Sequence, residues 1–327
     1  SLSRTDDVVK SVLANELSVE EASDRLDEID NMPNPYGKVS TGLSYIMASS
    51  AFVMLMGATL VDVIASGAIG LVVYIFVLWS QRSKGIMNML EPLVALVAAF
   101  LACAISAKVS PSLNIHMVVL SSIIVFIPGL ALTIGLAELS ARHLVSGTAK
   151  TMDALMILFK LYFGAYLGIA LGTAAFGEAE LVHYQPLPRW TVWIAITVLC
   201  SSLVIAFRMR SRHIVWAMAC GYLAYIASTL GALYFDYGIG AFIGAFIVGI
   251  YGNIFTRIAL APAVIVTMHG LLVLVPGSKT FISLNTYVTG RGFELGEIAG
   301  QQSVVILMSI VAGLIFANSA LPPKKSL

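Results

Sequence analysis

Residues 123–130 read IIVFIPGL and residues 271–278 read LLVLVPGS. Each phrase closes an apolar run long enough to cross a bilayer, and small, hydroxylated and occasionally charged residues follow both. Proline has no backbone donor and glycine tolerates almost any backbone angle, so the pair stops or kinks a helix and frees polar backbone groups. In hydrocarbon such groups survive only where protein or a wet cavity covers them. Two interrupted segments at corresponding places in two halves mark where a repeat-built membrane protein binds a ligand.

Working outward, composition fixes the class. Of 327 residues, 58% are hydrophobic and 11% charged, with a mean hydropathy of +0.90. Soluble domains carry about 25% charge, so the expectation is an all-α polytopic membrane protein with the lipid bilayer as its main partner. The net charge of +1 says nothing about nucleic acid, and no basic, aromatic-interleaved patch suggests it, so no nucleic-acid partner is expected. Cys103, Cys200 and Cys220 stand singly in apolar runs, which reads as small core residues; neither a disulfide framework nor a metal site is expected, and no cofactor. The first 38 residues are polar, so no signal peptide is expected there, and a start at Ser1 fits a processed or shortened chain.

Residues 1–40 form the expected cytosolic segment, holding nine of the eighteen acids within the first 38. Ser18-Val19-Glu20-Glu21 resembles a capping box, and Val19, Ala22, Leu26 and Ile29 then fall at helical spacing. Two short helices are expected, 4–15 and 19–30, ended by Pro33 and Pro35. From residue 41 the chain is nearly continuous membrane segment, with spans expected at 41–57, 61–79, 91–107, 114–132, 152–175, 190–207, 213–234, 238–257, 259–275 and 300–320. With the N-terminus inside, fourteen of the nineteen basic residues fall on the cytosolic side and four outside, leaving Lys160 in a span. Ten spans divide into two five-helix repeats, 41–175 and 190–327, joined by an extracytoplasmic linker at 176–189. An odd number per half inverts one repeat against the other. Gly57 to Asp62 and Gly231 to Asp236 add a second, looser echo.

These stretches resemble the threonine/serine exporter family of roughly ten-span proteins. SVEEASDRLDEI (18–29) is similar to its cytosolic helix, PGLALTIGLAELSARHLVSGTAK (128–150) to its first-half signature and LVPGSKTF (274–281) to its second. The likeness covers most of residues 8–320, although the longer soluble region usual in the family is mostly absent. The resemblance implies a secondary exporter of threonine and serine, driven by an ion gradient, expected to be of protons, in the plasma (inner) membrane with both termini cytoplasmic. Two alternatives stay open: export of small mono- or dicarboxylic acids by the same architecture, and a non-transporting scaffold or sensor. A homo-oligomer is compatible with all three.

The candidate substrate-binding residues follow from electrostatics. A helix N-terminus offers free N–H groups and about half a positive charge, which suits a carboxylate. Pro128, Gly129, Pro276 and Gly277 would open such N-termini, with Thr133, Ser278 and Thr280 adding hydroxyls and Glu138 a charge. Charged or titratable groups in spans default to functional candidates. Asp62, Asp236, Glu138 and His269 are therefore candidates for proton coupling, against the alternatives of helix-start caps, a Glu138–Arg142 pair at i,i+4 and a hydrogen-bonded core histidine. Lys160 is expected to snorkel, while His116, His143, His183 and His213 should be interfacial. Ser49, Ser50, Ser121, Ser122, Asn253, Gln301 and Gln302 either line a path or join helices. No enzyme is expected. Gly277-Ser278-Lys279-Thr280 lacks the earlier glycine of a phosphate loop, and neither H-E-x-x-H nor G-x-S-x-G occurs.

Overall fold

A computed structural model of the chain describes residues 17–31, 36–140, 142–177, 186–274 and 293–322, together with Thr5, Val8, Ser11 and Val12. The described residues are helical and contain no strand. The helices are α1 (Val19–Asn31), α2 (Lys38–Leu55), α3 (Leu60–Ser80), α4 (Leu90–Lys108), α5 (Ile115–Ser122), α6 (Gly129–Ser140), α7 (Leu144–Phe176), α8 (Thr191–Ala206), α9 (Ile214–Tyr234), α10 (Tyr237–Ile258), α11 (Val264–Leu274) and α12 (Phe293–Ala320). The Ser18–Glu21 capping box forms: Ser18 N–H donates to Glu21 Oε2 at 3.0 Å and Glu21 N–H to Ser18 Oγ at 3.2 Å. Pro33, Pro35 and most of 4–15 lie outside the described residues.

Among the described residues five helices are long and apolar enough to cross a bilayer: α3, α4, α7, α9 with its preceding turn, and α10. A sixth crossing follows if α5 and α6, bent by 53° at their break, count as one. Thr191–Ala206, Val264–Leu274 and Val305–Ala320 are shorter apolar helices. α7 begins eight residues before the expected start at 152, running through the polar stretch 144–151.

Two buried cores organise the helices. One gathers α2 to α7, around Ile69, Val94, Ala98, Leu120, Ile123 and Leu161; the other gathers α8 to α12, around Ala217, Cys220, Val248, Phe255, Val266 and Ile310. Within each, the same partners dominate: α4 lies along α7 and α10 lies along α12. Small residues allow both close approaches. A Cβ on Gly164 would stand 2.1 Å from the Pro92 carbonyl oxygen, and one on Gly313 would stand 2.5 Å from that of Phe242. Between the cores, α2 packs against α8, while α6 reaches α12 and α11. All three cysteines are buried, as their apolar settings predict.

Candidate functional site

The first Pro-Gly phrase forms a break, and the break borders a cavity. Asn114 caps α5, its side chain accepting from Met117 N–H at 3.1 Å. The helix stops at Ser122, a 3-10 turn covers Ile124–Phe126, and α6 starts at Gly129. Gly129 N–H donates to the Ile127 carbonyl at 2.9 Å and Leu132 N–H to that of Pro128 at 3.0 Å. No backbone acceptor among the described residues serves the N–H groups of Leu130 and Ala131, which is the usual condition of a helix's first turn. Both residues line a cavity of about 250 Å³. Ser44, Tyr45, Ala48 and Phe52 of α2 form another wall, Leu199 to Phe207 a third, and Leu272 of α11 a fourth. The space therefore lies where the two cores meet.

Its chemistry is mostly apolar. Among the described lining the polar side chains are Ser44, Tyr45 and Ser202, and none is charged. Ser44 and Ser202 donate to carbonyls of their own helices, Thr41 and Leu199, both at 2.7 Å. The free N–H pair at the start of α6 is thus the cavity's most electropositive feature.

The sequence candidates distribute unevenly around this space. Pro128 lines it. Thr133 is buried one turn along α6 with its hydroxyl donating to the Gly129 carbonyl at 3.0 Å. Glu138 stands nine residues past Gly129, about 14 Å along the helix axis, and pairs with Lys150 of α7. The expected Glu138–Arg142 pair is not what forms, because Arg142 turns the chain between α6 and α7 with a left-handed φ of 64°. Pro276, Gly277, Ser278 and Thr280 lie outside the described residues, as do His183 and most of the linker.

Asp62 is fully buried at the start of α3. Its Oδ2 accepts from the N–H and the hydroxyl of Thr59, each at 2.8 Å, and its Oδ1 accepts from Asn114 N–H at 2.8 Å. One carboxylate thereby closes the α3 capping box and pins the start of α5 to it. Asp236 is a plainer N-cap, accepting from Ile239 N–H at 2.8 Å at an exposed helix start.

His269 is fully buried on α11, and neither ring nitrogen has a hydrogen-bond partner among the described residues. The Ile265 carbonyl, one turn back, is near but outside hydrogen-bond geometry. The ring meets Phe207 edge-on, centroids 5.6 Å apart, and Phe207 belongs to the cavity wall. His213, expected at an interface, is instead buried against Phe255 and accepts from Arg212 Nε at 2.9 Å. Its apolar neighbours come from α10, which the local sequence does not announce.

Several polar residues prove to be joints between elements. Ser66 and Ser121 hydroxyls meet at 2.8 Å between α3 and α5, and Ser50 donates to the Val63 carbonyl at 3.0 Å. Asn253 reaches Asn318 at 2.9 Å and the Leu321 carbonyl at 2.7 Å. Lys160 lies 3.8 Å from Glu91 of α4, a partner the sequence reading passed over. Tyr36 was also missed; its hydroxyl donates to the Met209 carbonyl at 2.9 Å. Such pairs, about 70 and 170 residues apart, leave no short-range signal. Among the described residues no three His, Cys, Asp or Glu side chains converge on a metal site.

Comparison with known proteins is consistent from end to end. A family model described as "Putative threonine/serine exporter" matches residues 1–172, and a second, "Threonine/Serine exporter, ThrE", matches residues 191–320. "Pheromone-regulated membrane protein 10" of Eremothecium gossypii is 28% identical over 318 residues, covering 91% of this chain and 42% of that protein. The protein of the same name in Pichia sorbitophila is 26% identical, over 84% of this chain and 28% of its own length. That of Saccharomyces cerevisiae is 27% identical, over 95% of this chain and 87% of its own. The chain thus spans less than half the length of the first two. No solved structure matches it.

Proposed function

The chain belongs to the threonine/serine exporter family, and on that premise we propose that it is a secondary exporter of small hydroxy amino acids. The observation that carries the reading is the α6 N-terminus, with its two unclaimed N–H groups, opening into a cavity between the two helical cores. The substrate carboxylate would lie at those N–H groups, where the dipole and the donors act together in a low dielectric. Its short side chain would lie against the apolar wall, with the Ser44, Tyr45 and Ser202 hydroxyls within the same lining.

The account includes ten crossings in two inverted five-helix repeats, 41–175 and 190–327, with both termini in the cytoplasm of a plasma-membrane protein. Three observations support it. The positive-inside count favours that topology, the third helix of each half packs along its fifth, and the two family models meet the chain on either side of 176–189. Alternating access would then be rocking of one core against the other about the α2–α8 contact. Protons are the proposed coupling ion, and His269 the proposed carrier, since it is an ionisable side chain buried beside the cavity wall with both ring nitrogens unpartnered among the described residues. Asp62, Asp236 and Glu138 already have cap or ion-pair partners.

A single-cysteine variant tests the site. Alkylation of Ser202→Cys should be slowed by L-threonine and L-serine and left unchanged by L-lysine; equal rates with all three would remove the cavity from the account. A second cargo, a small carboxylic acid, is favoured by the lack of an acidic side chain in the described lining to meet an ammonium group. Protection by malate or acetate in place of threonine would select it.

A further inference from the structure

We propose that Phe207 is a shutter between the cavity and His269, and that a bond from the N-terminal segment holds it shut. The inference rests on the proposed transport cycle for its purpose, but its geometry stands apart from the identity of the cargo. His269 has no exposed surface, and two nitrogens without partners in an apolar setting are a standing cost that one water would relieve. Phe207 meets the His269 ring edge-to-face and also lines the cavity. Rotation of this one side chain would put the imidazole in contact with the cavity's contents.

The backbone beneath Phe207 is built for a change of state. Phe207 is the C-cap of α8, its N–H bonded to the Leu203 and Ile205 carbonyls. Arg208 follows with a left-handed φ of 49°, a conformation that costs a non-glycine residue free energy. The next residue, Met209, is buried, and its carbonyl accepts the Tyr36 hydroxyl. Tyr36 stands just ahead of α2 and packs on the second core, so the segment before the first membrane helix grips the chain two residues beyond the shutter. Release of that bond would let 207–209 relax and the ring leave His269.

Other titratable groups near α11 do not replace this role. Cys220 of α9 stands against Gly270, and Cys200 of α8 against Gly221. Tyr251 of α10 donates to the Trp216 carbonyl, and α6 contributes Glu138, which is held by Lys150. With the shutter open, hydronium in the cavity can give a His269 nitrogen its proton, forming N–H⁺ and leaving water; the shutter closes over the neutral ring, because the apolar pocket gives an imidazolium no partner, so the ring is charged only while the shutter is open.

Carbethoxylation of His269 by diethyl pyrocarbonate, mapped by mass spectrometry on the full chain in liposomes, tests this without any assumption about cargo. His269 should be protected in the unmodified protein. In Phe207→Ala its modification rate should rise about tenfold or more, as expected when a burying group is removed from a local opening equilibrium. Tyr36→Phe, which deletes one hydroxyl at a half-buried site, should raise it by a smaller factor. Phe207→Trp, which keeps a ring in the wall, should stay protected. Equal His269 reactivity in the unmodified protein and Phe207→Ala, with both folded by size-exclusion chromatography, overturns the shutter; a rise in Phe207→Ala with no change in Tyr36→Phe overturns the latch. If neither protein moves threonine yet Phe207→Ala still exposes His269, the shutter stands and the cargo assignment falls.

Discussion

Asp62→Asn separates the two roles that the sequence allows this residue. The carboxylate is fully buried and accepts three hydrogen bonds of 2.8 Å, two from Thr59 and one from Asn114. An amide has one acceptor oxygen. Whichever way it turns, its NH₂ faces a backbone donor, either at Thr59 or at Asn114. A buried donor left without a partner costs about 1–3 kcal/mol, and loss of a good N-cap about 1 kcal/mol. The substitution should therefore cost about 2–4 kcal/mol, which lowers the melting temperature by roughly 3–6 °C in a protein of this size. Thermal unfolding in detergent, followed by fluorescence size exclusion, reads this directly. Parallel flux measurements at low temperature, where the variant remains folded, should still respond to a pH gradient. An Asp62→Asn protein that melts within about 1 °C of the parent and loses gradient-driven flux would refute the cap argument and make Asp62 the proton carrier.

Three further outcomes follow from the packing and the caps. Gly164→Leu should abolish the folded, monodisperse species, because even a Cβ there lies 2.1 Å from the Pro92 carbonyl oxygen, and overpacking of a rigid joint costs about 1–3 kcal/mol or more. Ala131→Trp should fill the cavity and stop flux with little change in melting temperature, since the indole projects into existing space. In α1, the Ser18 N–H and hydroxyl hold the Glu21 carboxyl below its ordinary value of 4.5. A depressed carboxyl stabilises the helix fully above its unfolded pKa and loses that contribution as pH falls through the folded one. Hydrogen exchange across 19–31 should therefore accelerate relative to intrinsic rates below pH 4.5, and Ser18→Ala, which keeps the N–H and removes the hydroxyl, should reduce the difference.

Helix positions were legible because apolar runs and capping signals are local. The Ser18–Glu21 box and the Pro128 break are both read within a few residues. The partners of those elements were not legible. Spacing offered Glu138 only Arg142, and the left-handed turn at Arg142 is what brings Lys150, twelve residues on, to it instead. Asp62 read equally as cap or carrier, because its third donor, Asn114, comes from a helix fifty residues away. His269 was marked by its apolar setting, but its neighbour Phe207 was not, since an aromatic at the end of an apolar run has no distinguishing sequence signal. The cavity itself is a property of the α2–α8 contact, which joins the two buried cores and leaves no trace in the sequence of either helix alone.

The most direct test of the account is L-threonine flux through purified protein in liposomes under an imposed pH gradient, with Ala131→Trp as the control that occupies the cavity. The account predicts threonine accumulation that follows the gradient, competition by L-serine, collapse with a protonophore and loss in Ala131→Trp. Threonine movement that is indifferent to the gradient and persists at the parent's rate in Ala131→Trp would contradict both the coupling and the site.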